Sequence, residues 1–210
     1  MIVDPMFIGG VILISYLAGA IPFGLVFTRL AGKGDIRAIG SGNIGTTNVL
    51  RTGSKPLAAL TLIFDAGKGA VIILIAVHFA STTDNAATGE TIALISAISG
   101  LSAVIGHCFP IWLGFKGGKG VATALAVFAT YDLRLGGLFV ALWLSVAFIF
   151  RFSSLAALTA TLGCVAAAFL LGLDMAIVSA MVVITGIIWA RHHENIGRLL
   201  AGTESKIGKK

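Results

Sequence analysis

Glycines and lysines suited to holding a phosphate crowd into one polar stretch, Gly106–Gly120, of an otherwise apolar chain. Glycine lets backbone N–H groups approach an anion closely, and lysine supplies positive charge. The apolar run from Val121 onward predicts a helix, and helix N-termini attract anions. The residues expected to hold the phosphate are Lys116, Gly117, Gly118, Lys119 and Gly120. The alternative is a basic loop that only sets membrane orientation, which needs fewer glycines.

The residue types of this stretch bear on two further functions. His107 is either an acid or base of the site or an ordinary histidine at the membrane interface. The pattern GxxxxGK[ST] has no register on Gly114–Gly120, so the sequence does not favour ATP hydrolysis.

A second polar stretch, Gly40–Arg51, contains the formal pattern GxGxxG at Gly40–Gly45. A dinucleotide-binding fold would need a strand before it and a helix after it, whereas this pattern lies between apolar segments. Small residues still expose backbone donors, and Arg51 suits a two-pronged phosphate contact. The candidate ligands of this stretch are Ser41, Gly42, Asn43, Thr47, Asn48 and Arg51. The alternative is a polar loop of turn formers with an arginine that sets topology.

A third polar stretch, Arg191–Glu204, supplies titratable groups. At helical spacing His192 and Asn195 share a face, and histidine is the usual general base near neutral pH. Neighbouring histidines point apart on a helix and no carboxylate set accompanies them, so we expect neither a metal nor another cofactor. Glu204 is expected to pair with an arginine and hold the tail, which is a structural role.

Two opposite charges, Asp65 and Lys68, stand three residues apart inside an apolar segment. Charges within a membrane are costly and usually functional. These two share a helix face, so they either neutralise each other as a structural pair or support the site from behind.

The composition predicts an integral membrane protein. Of the 210 residues 57% are hydrophobic and 11% charged, against roughly a quarter charged in soluble domains, and the mean hydropathy is +1.00. The net charge of +6 is typical of the cytoplasmic loops of membrane proteins, so a nucleic-acid partner is not expected. Cys108 and Cys164 form neither a CxxC pattern nor a disulfide framework.

Seven apolar segments predict an all-α protein with seven transmembrane helices in one domain, residues 1–210. They are Met6–Thr28, Pro56–Ala80, Thr91–Ile105, Val121–Tyr131, Gly136–Phe150, Ser153–Leu171 and Met175–Ala190. Pro22 is expected to kink the first segment. Val121–Tyr131 is short for a span, and a re-entrant half-helix is the alternative.

The distribution of charge predicts the orientation of these seven helices. With the N-terminus outside and the C-terminus cytoplasmic, every loop lysine or arginine except Arg134 falls inside, which obeys the positive-inside rule. The same topology places all three polar stretches on one face of the membrane. A phosphate transporter would instead place its ligands near the midplane and show inverted repeats.

The three stretches resemble the three cytoplasmic motifs of the PlsY family, the bacterial membrane acyl-phosphate:glycerol-3-phosphate acyltransferases. The resemblance rests on Ser41–Arg51, on Gly106–Pro110 with Phe115–Thr123, and on His192–Glu204, in the family's order. Thr46 stands where alanine is usual and His193 where arginine is usual, and neither is a residue expected to be catalytic.

The resemblance implies a fold of seven membrane helices and a reaction without cofactors. An acyl group would pass from acyl phosphate to the 1-hydroxyl of sn-glycerol 3-phosphate, giving lysophosphatidic acid and phosphate, among membrane lipids of the bacterial inner membrane. It implies that Ser41 and Arg51 are essential, that Gly117–Gly120 with Thr123 bind phosphate, and that His192 and Asn195 support activity. A donor carried by coenzyme A or carrier protein is the rival, although the HxxxxD pair frequent in such enzymes is absent, because Trp112 stands five residues after His107.

Overall fold

The computed structural model describes residues 4–40, 42–83 and 88–208, and all regular structure within these ranges is helical. The helices are α1 Pro5–Gly19, α2 Phe23–Leu30, α3 Thr46–Val49, α4 Lys55–Thr83, α5 Gly89–Cys108, α6 Val121–Tyr131, α7 Leu133–Phe150, α8 Ser153–Leu170, α9 Met175–Arg191 and α10 His193–Leu200. The predicted all-α class is confirmed for these residues.

Five segments in the described part are long and apolar enough to cross a membrane, namely Pro5–Leu30, Lys55–Thr82, Gly89–Leu113, α7 and α8. A sixth is reached if α9 and α10, which meet at a bend of 62°, are counted as one span. Helix α6 has the bounds that the sequence predicted, but its 11 residues remain short of that length. The chain is therefore a multi-pass membrane protein with five to six segments of spanning length.

The first predicted span is interrupted between Gly19 and Phe23, where α1 ends and α2 begins. Pro22 has no N–H to donate and its ring obstructs a continuous helix. The carbonyl of Ile21 accepts the N–H of Phe23 at 3.2 Å and a second hydrogen bond from Lys68 Nζ at 2.8 Å. The kink expected at Pro22 is thus a full break, stabilised by a charge from α4.

Close helix contacts rely on residues without bulky side chains. A Cβ added to Gly19 would collide with the backbone of Ala103, and one added to Gly106 would collide with the backbone of Tyr16. Helices α1 and α5 therefore touch backbone to backbone, as small residues allow in lipid. By contrast, α7 directs Leu144, Phe148 and Ile149 outward, in agreement with a lipid-facing surface.

The C-terminal tail is fastened to the junction between α7 and α8. Ile207 N–H donates to the carbonyl of Arg151 at 2.7 Å, and Arg151 Nη2 donates back to the carbonyl of Ile207 at 2.9 Å. The tail therefore returns to the end of the helices at which α9 ends. Cys108 and Cys164 are buried free thiols.

Candidate active site

The glycine loop, Gly117–Gly120, folds back onto the end of α5. Gly118 N–H donates to the carbonyl of His107 at 3.0 Å, and Gly117 N–H donates to that of Cys108 at 3.1 Å. A Cβ on Gly117 would lie 2.8 Å from the Cys108 oxygen and closer still to the His107 oxygen. A Cβ on Gly118 would lie 2.8 Å from two ring carbons of His107. Glycine is thus required here for close packing.

The free N–H groups of this region begin at Lys119 rather than at Lys116 as the sequence predicted, because those of Lys116, Gly117 and Gly118 are already paired. Within the described chain, no acceptor takes the N–H groups of Lys119, Gly120 or the first turn of α6. Helix N-termini leave such donors unpaired and carry a partial positive charge. The segment from Lys119 to Thr123 is therefore the part of this region whose N–H groups are available to an anion.

Arg191, at the end of α9, also holds the glycine loop. Its Nη2 donates to the carbonyl of Gly117 at 2.9 Å and its Nε to that of Gly118 at 3.2 Å. The guanidinium also lies 5.5 Å from the ring centroid of Phe109. Arg191 was not among the residues predicted for the site, because its only signal in the sequence is its place before the histidine pair.

A chain of hydrogen bonds leads from the glycine loop to the tail. Lys119 Nζ donates to Asn195 Oδ1, and Asn195 Nδ2 donates to Glu204 Oε1 at 2.6 Å. Glu204 also accepts from Ser154 Oγ at 2.8 Å and from Arg198 Nε at 2.7 Å. Burial lowers the pKa of Lys119. Burial acts to raise the pKa of Glu204, but these hydrogen bonds outweigh it and the pKa is lowered.

His192 lies at the bend between α9 and α10, where it is only 3% exposed. Its Nδ1 is 2.8 Å from the carbonyl oxygen of Ile188, and a carbonyl only accepts, so Nδ1 carries the hydrogen and Nε2 keeps its lone pair. Burial lowers the pKa of His192 to about 4. The ring is therefore neutral at pH 7, with Nε2 as an acceptor.

The stretch Gly40–Arg51 contributes one exposed cation and an internally braced turn. Asn48 is buried, and its Nδ2 donates to the carbonyls of Ile36, Ile39 and Asn43. The sequence predicted Asn48 as a phosphate ligand. In the structure its amide nitrogen instead holds the turn together.

Other candidates of this stretch have different surroundings. Asn43 Oδ1 accepts the N–H of Gly45 at 3.1 Å, while Gly42 and Thr47 are exposed. Arg51 is also exposed, lies beside Gly40, and forms no ion pair with the described residues. Ser41 lies outside the described residues.

Direct hydrogen bonds join Gly106–Gly120 to Arg191–Glu204, whereas Gly40–Arg51 joins them by apolar packing. Leu113, just before the glycine loop, packs on a buried cluster from α2, α3, α4 and the segment between α2 and α3, which comprises Leu25, Ile36, Ile44, Val49 and Ala58. The side chain of Lys116 is exposed and forms no ion pair with the described residues. The three stretches thus meet at one end of the helices.

Four of the residues singled out from the sequence lie beneath the loop rather than on its surface. Thr123 is fully buried, and its hydroxyl donates to the carbonyl of Asp65 at 2.8 Å. Asp65 Oδ1 pairs with Lys68 Nζ at 3.0 Å and lies 3.7 Å from His107 Nδ1. The side chains of Thr123 and His107 are therefore part of the interior that supports the loop, not of an open anion site. Among the described residues, no group of three or more His, Cys, Asp or Glu side chains is arranged to hold a metal ion.

A membrane-embedded helical protein whose basic and glycine-rich stretches meet at one end of its helices is the class that this fold and geometry define. The family model for glycerol-3-phosphate acyltransferase matches residues 9–202, and the chain belongs to that family. It is therefore a membrane acyltransferase.

Named relatives and solved structures agree with this membership over nearly the whole chain. Glycerol-3-phosphate acyltransferases of Mesorhizobium japonicum and Allorhizobium ampelinum are each 52% identical, covering 93% and 94% of this chain and 94% and 90% of their own lengths. The crystal structure of PlsY in its glycerol 3-phosphate form has a TM-score of 0.85 at 36% identity, covering 96% of both chains. The lysophosphatidic acid form of PlsY gives 0.83 at 35%, covering 96% of this chain and 95% of that one.

Proposed function

We propose that the protein transfers an acyl group from acyl phosphate to the 1-hydroxyl of sn-glycerol 3-phosphate. The products are 1-acyl-sn-glycerol 3-phosphate (lysophosphatidic acid) and inorganic phosphate, which makes this the first acylation of phospholipid synthesis. The observation that carries the proposal is the run of free N–H groups from Lys119 to Thr123, which begins at a lysine whose ammonium is bonded to Asn195 on α10. The PlsY structures in glycerol 3-phosphate and lysophosphatidic acid forms support the same acceptor and product here.

The choice of donor follows from what the reaction needs. Acyl phosphate is a mixed anhydride and is already activated, so no covalent enzyme intermediate is required. The cysteines are buried, which argues against a thiol nucleophile in this chain. Two anionic substrates need positioning and charge neutralisation, and preorganised N–H groups with Arg51, Lys116 and Lys119 suit that task.

The chemical step has a simple balance. The 1-hydroxyl oxygen attacks the acyl carbon, the bond from that carbon to the bridging oxygen breaks, and the phosphate leaves with the electron pair. The hydroxyl proton passes either to Nε2 of His192 or to an oxygen of a bound phosphate. The lowered pKa of His192 makes its ring a weak base in the free enzyme, so a neighbouring anion must assist it.

The remaining roles follow the same logic. Ser41 and Arg51 are assigned as essential active-site residues by resemblance to the family. Asn195 holds Lys119 in place. The chain would form one domain of seven spans, N-terminus outside, with α6 as the short fourth crossing and the site on the cytoplasmic face of the inner membrane. The meeting of all three basic stretches at one helix end supports this topology.

The test is acyl transfer by the purified protein, with acyl phosphate and acyl-coenzyme A offered in parallel to labelled glycerol 3-phosphate. Product from acyl phosphate alone is expected. Product only from acyl-coenzyme A would overturn the donor and retain the acceptor. Product from neither would overturn the reaction, and phosphate uptake into liposomes would then be measured.

A further inference from the structure

Two buried charges lie directly beneath the glycine loop and have no role in the chemical step. Asp65 is 2% and Lys68 8% exposed, and they form an ion pair in the middle of α4. A buried ion pair is often no more stabilising than apolar residues of the same volume, and charges inside a membrane cost more still. Stability alone is therefore a weak reason for keeping this pair.

Asp65 contacts one residue before the glycine loop, His107, and one residue after it, Thr123. On the near side, its Oδ1 lies 3.7 Å from Nδ1 of His107, a buried nitrogen without a hydrogen bond in the described chain. The carbonyl of His107 holds the N–H of Gly118, and its ring lies against the same glycine. On the far side, the carbonyl of Asp65 accepts the hydroxyl of Thr123 in the first turn of α6.

Lys68 extends the same cluster to the break between α1 and α2. Its Nζ donates to the carbonyl of Ile21 and lies 5.7 Å from the ring centroid of Phe23. Helix α2 leads into the stretch that carries Arg51. One ion pair thus contacts the residues before the loop, those after it, and the helix that leads to the other basic stretch.

We propose that Asp65, Lys68 and His107 form a positioning unit that sets the place of the glycine loop and thereby the affinity of the site for the substrate phosphate. This inference rests on the proposed function, in which the loop and the first turn of α6 hold that phosphate. The unit does not touch the reacting atoms. It acts through Gly118, which directly precedes the free N–H groups, and through Thr123, which carries the last of them.

The variants that test the unit are D65N, K68M and the double variant D65N/K68M. Each single change leaves a buried group without its partner, whereas the double change removes both charges at similar volume, which buried pairs often tolerate. The control is T185V, which removes another buried hydroxyl with no hydrogen bond in the described chain, on α9.

The readout is the separation of KM for glycerol 3-phosphate from kcat, measured per folded protein. Because the loop would shift by a fraction of an ångström, KM should rise about 10- to 100-fold in D65N and in the double variant, with a smaller change in kcat. T185V should keep the KM of the wild type.

Three results would overturn the inference. They are a D65N/K68M variant that is folded and has the wild-type KM, a loss confined to kcat or to the folded fraction, and failure of all three variants to fold. In each case the pair does not set the affinity of the site for the substrate phosphate. An inactive wild type under the same conditions would instead refute the proposed function, so the two failures are distinguishable.

Discussion

Replacing Gly117 by alanine is the sharpest single perturbation of the glycine loop. The new methyl group would lie 2.8 Å from the Cys108 carbonyl oxygen and closer to that of His107, whereas ordinary contact begins near 3.4 Å. Both neighbours are backbone atoms at the end of α5, so neither has a rotamer by which to move away. The loop itself must therefore shift, and the hydrogen bond from the N–H of Gly117 to the carbonyl of Cys108 must lengthen.

The expected loss follows from the size of that shift. A displacement on the order of 1 Å in a positioning element costs about 100-fold in rate, which corresponds to about 2.7 kcal/mol. Overpacking adds a loss of stability of about 1–3 kcal/mol. We therefore expect kcat/KM for glycerol 3-phosphate to fall about 100-fold, with a lower thermal unfolding midpoint.

The assay is steady-state acyl transfer by purified Gly117→Ala, with the folded fraction measured in parallel. The matched control is Gly186→Ala, because Gly186 lies on the exposed side of α9 with no atom within 4 Å of the added Cβ. Unchanged kinetic constants in Gly117→Ala, or an equal loss in the control, would refute the argument that loop position sets activity.

Three other predictions concern the surroundings of the loop. Lysine has a single ammonium group and cannot bind the carbonyls of Gly117 and Gly118 together as the guanidinium of Arg191 does, so R191K should lower kcat/KM about tenfold. Unchanged kinetics would show that Arg191 does not hold the loop in place. E204Q weakens the charge-assisted bonds to Arg198 and Asn195, so the thermal unfolding midpoint should fall by the equivalent of about 1.5–3 kcal/mol. An unaltered midpoint would contradict the structural role of Glu204 in holding the tail. Burial holds the pKa of His192 at about 4, below about 6.5 in the unfolded chain, so the unfolded state takes up the proton first as pH falls. Relative to H192Q, the wild type should therefore lose on the order of 3 kcal/mol of stability between pH 6.5 and 4, and parallel melting profiles would disprove this.

Much of the helical framework was predictable because long apolar segments in a membrane protein have few alternatives. The bounds of α6 were predicted to the residue, and α7, α8 and α9 within three residues at each end. The break at Pro22 was underestimated, because the sequence does not reveal that Lys68, 47 residues beyond Ile21, donates a hydrogen bond to the carbonyl of Ile21.

The kinds of residue in the candidate site were predicted better than the role of each one. Glycine, lysine and histidine types indicated an anion site, but which N–H groups are free depends on pairings with α5 that only the fold determines. For the same reason the hydroxyl of Thr123 and the amide of Asn48 turned out to be committed to backbone carbonyls. Arg191 was overlooked because an arginine at the end of a helix is also what the positive-inside rule predicts.

The central claim is that acyl phosphate reacts with glycerol 3-phosphate on this chain without a covalent intermediate. Its most direct test is to supply acyl phosphate labelled in both its acyl carbon and its phosphorus, together with unlabelled glycerol 3-phosphate, to the purified protein. The account predicts that the acyl label enters lysophosphatidic acid while the phosphorus label appears, in equal amount, as inorganic phosphate. Phosphate release without acylated product, acylated product without phosphate release, or an acyl label retained on the protein would contradict it.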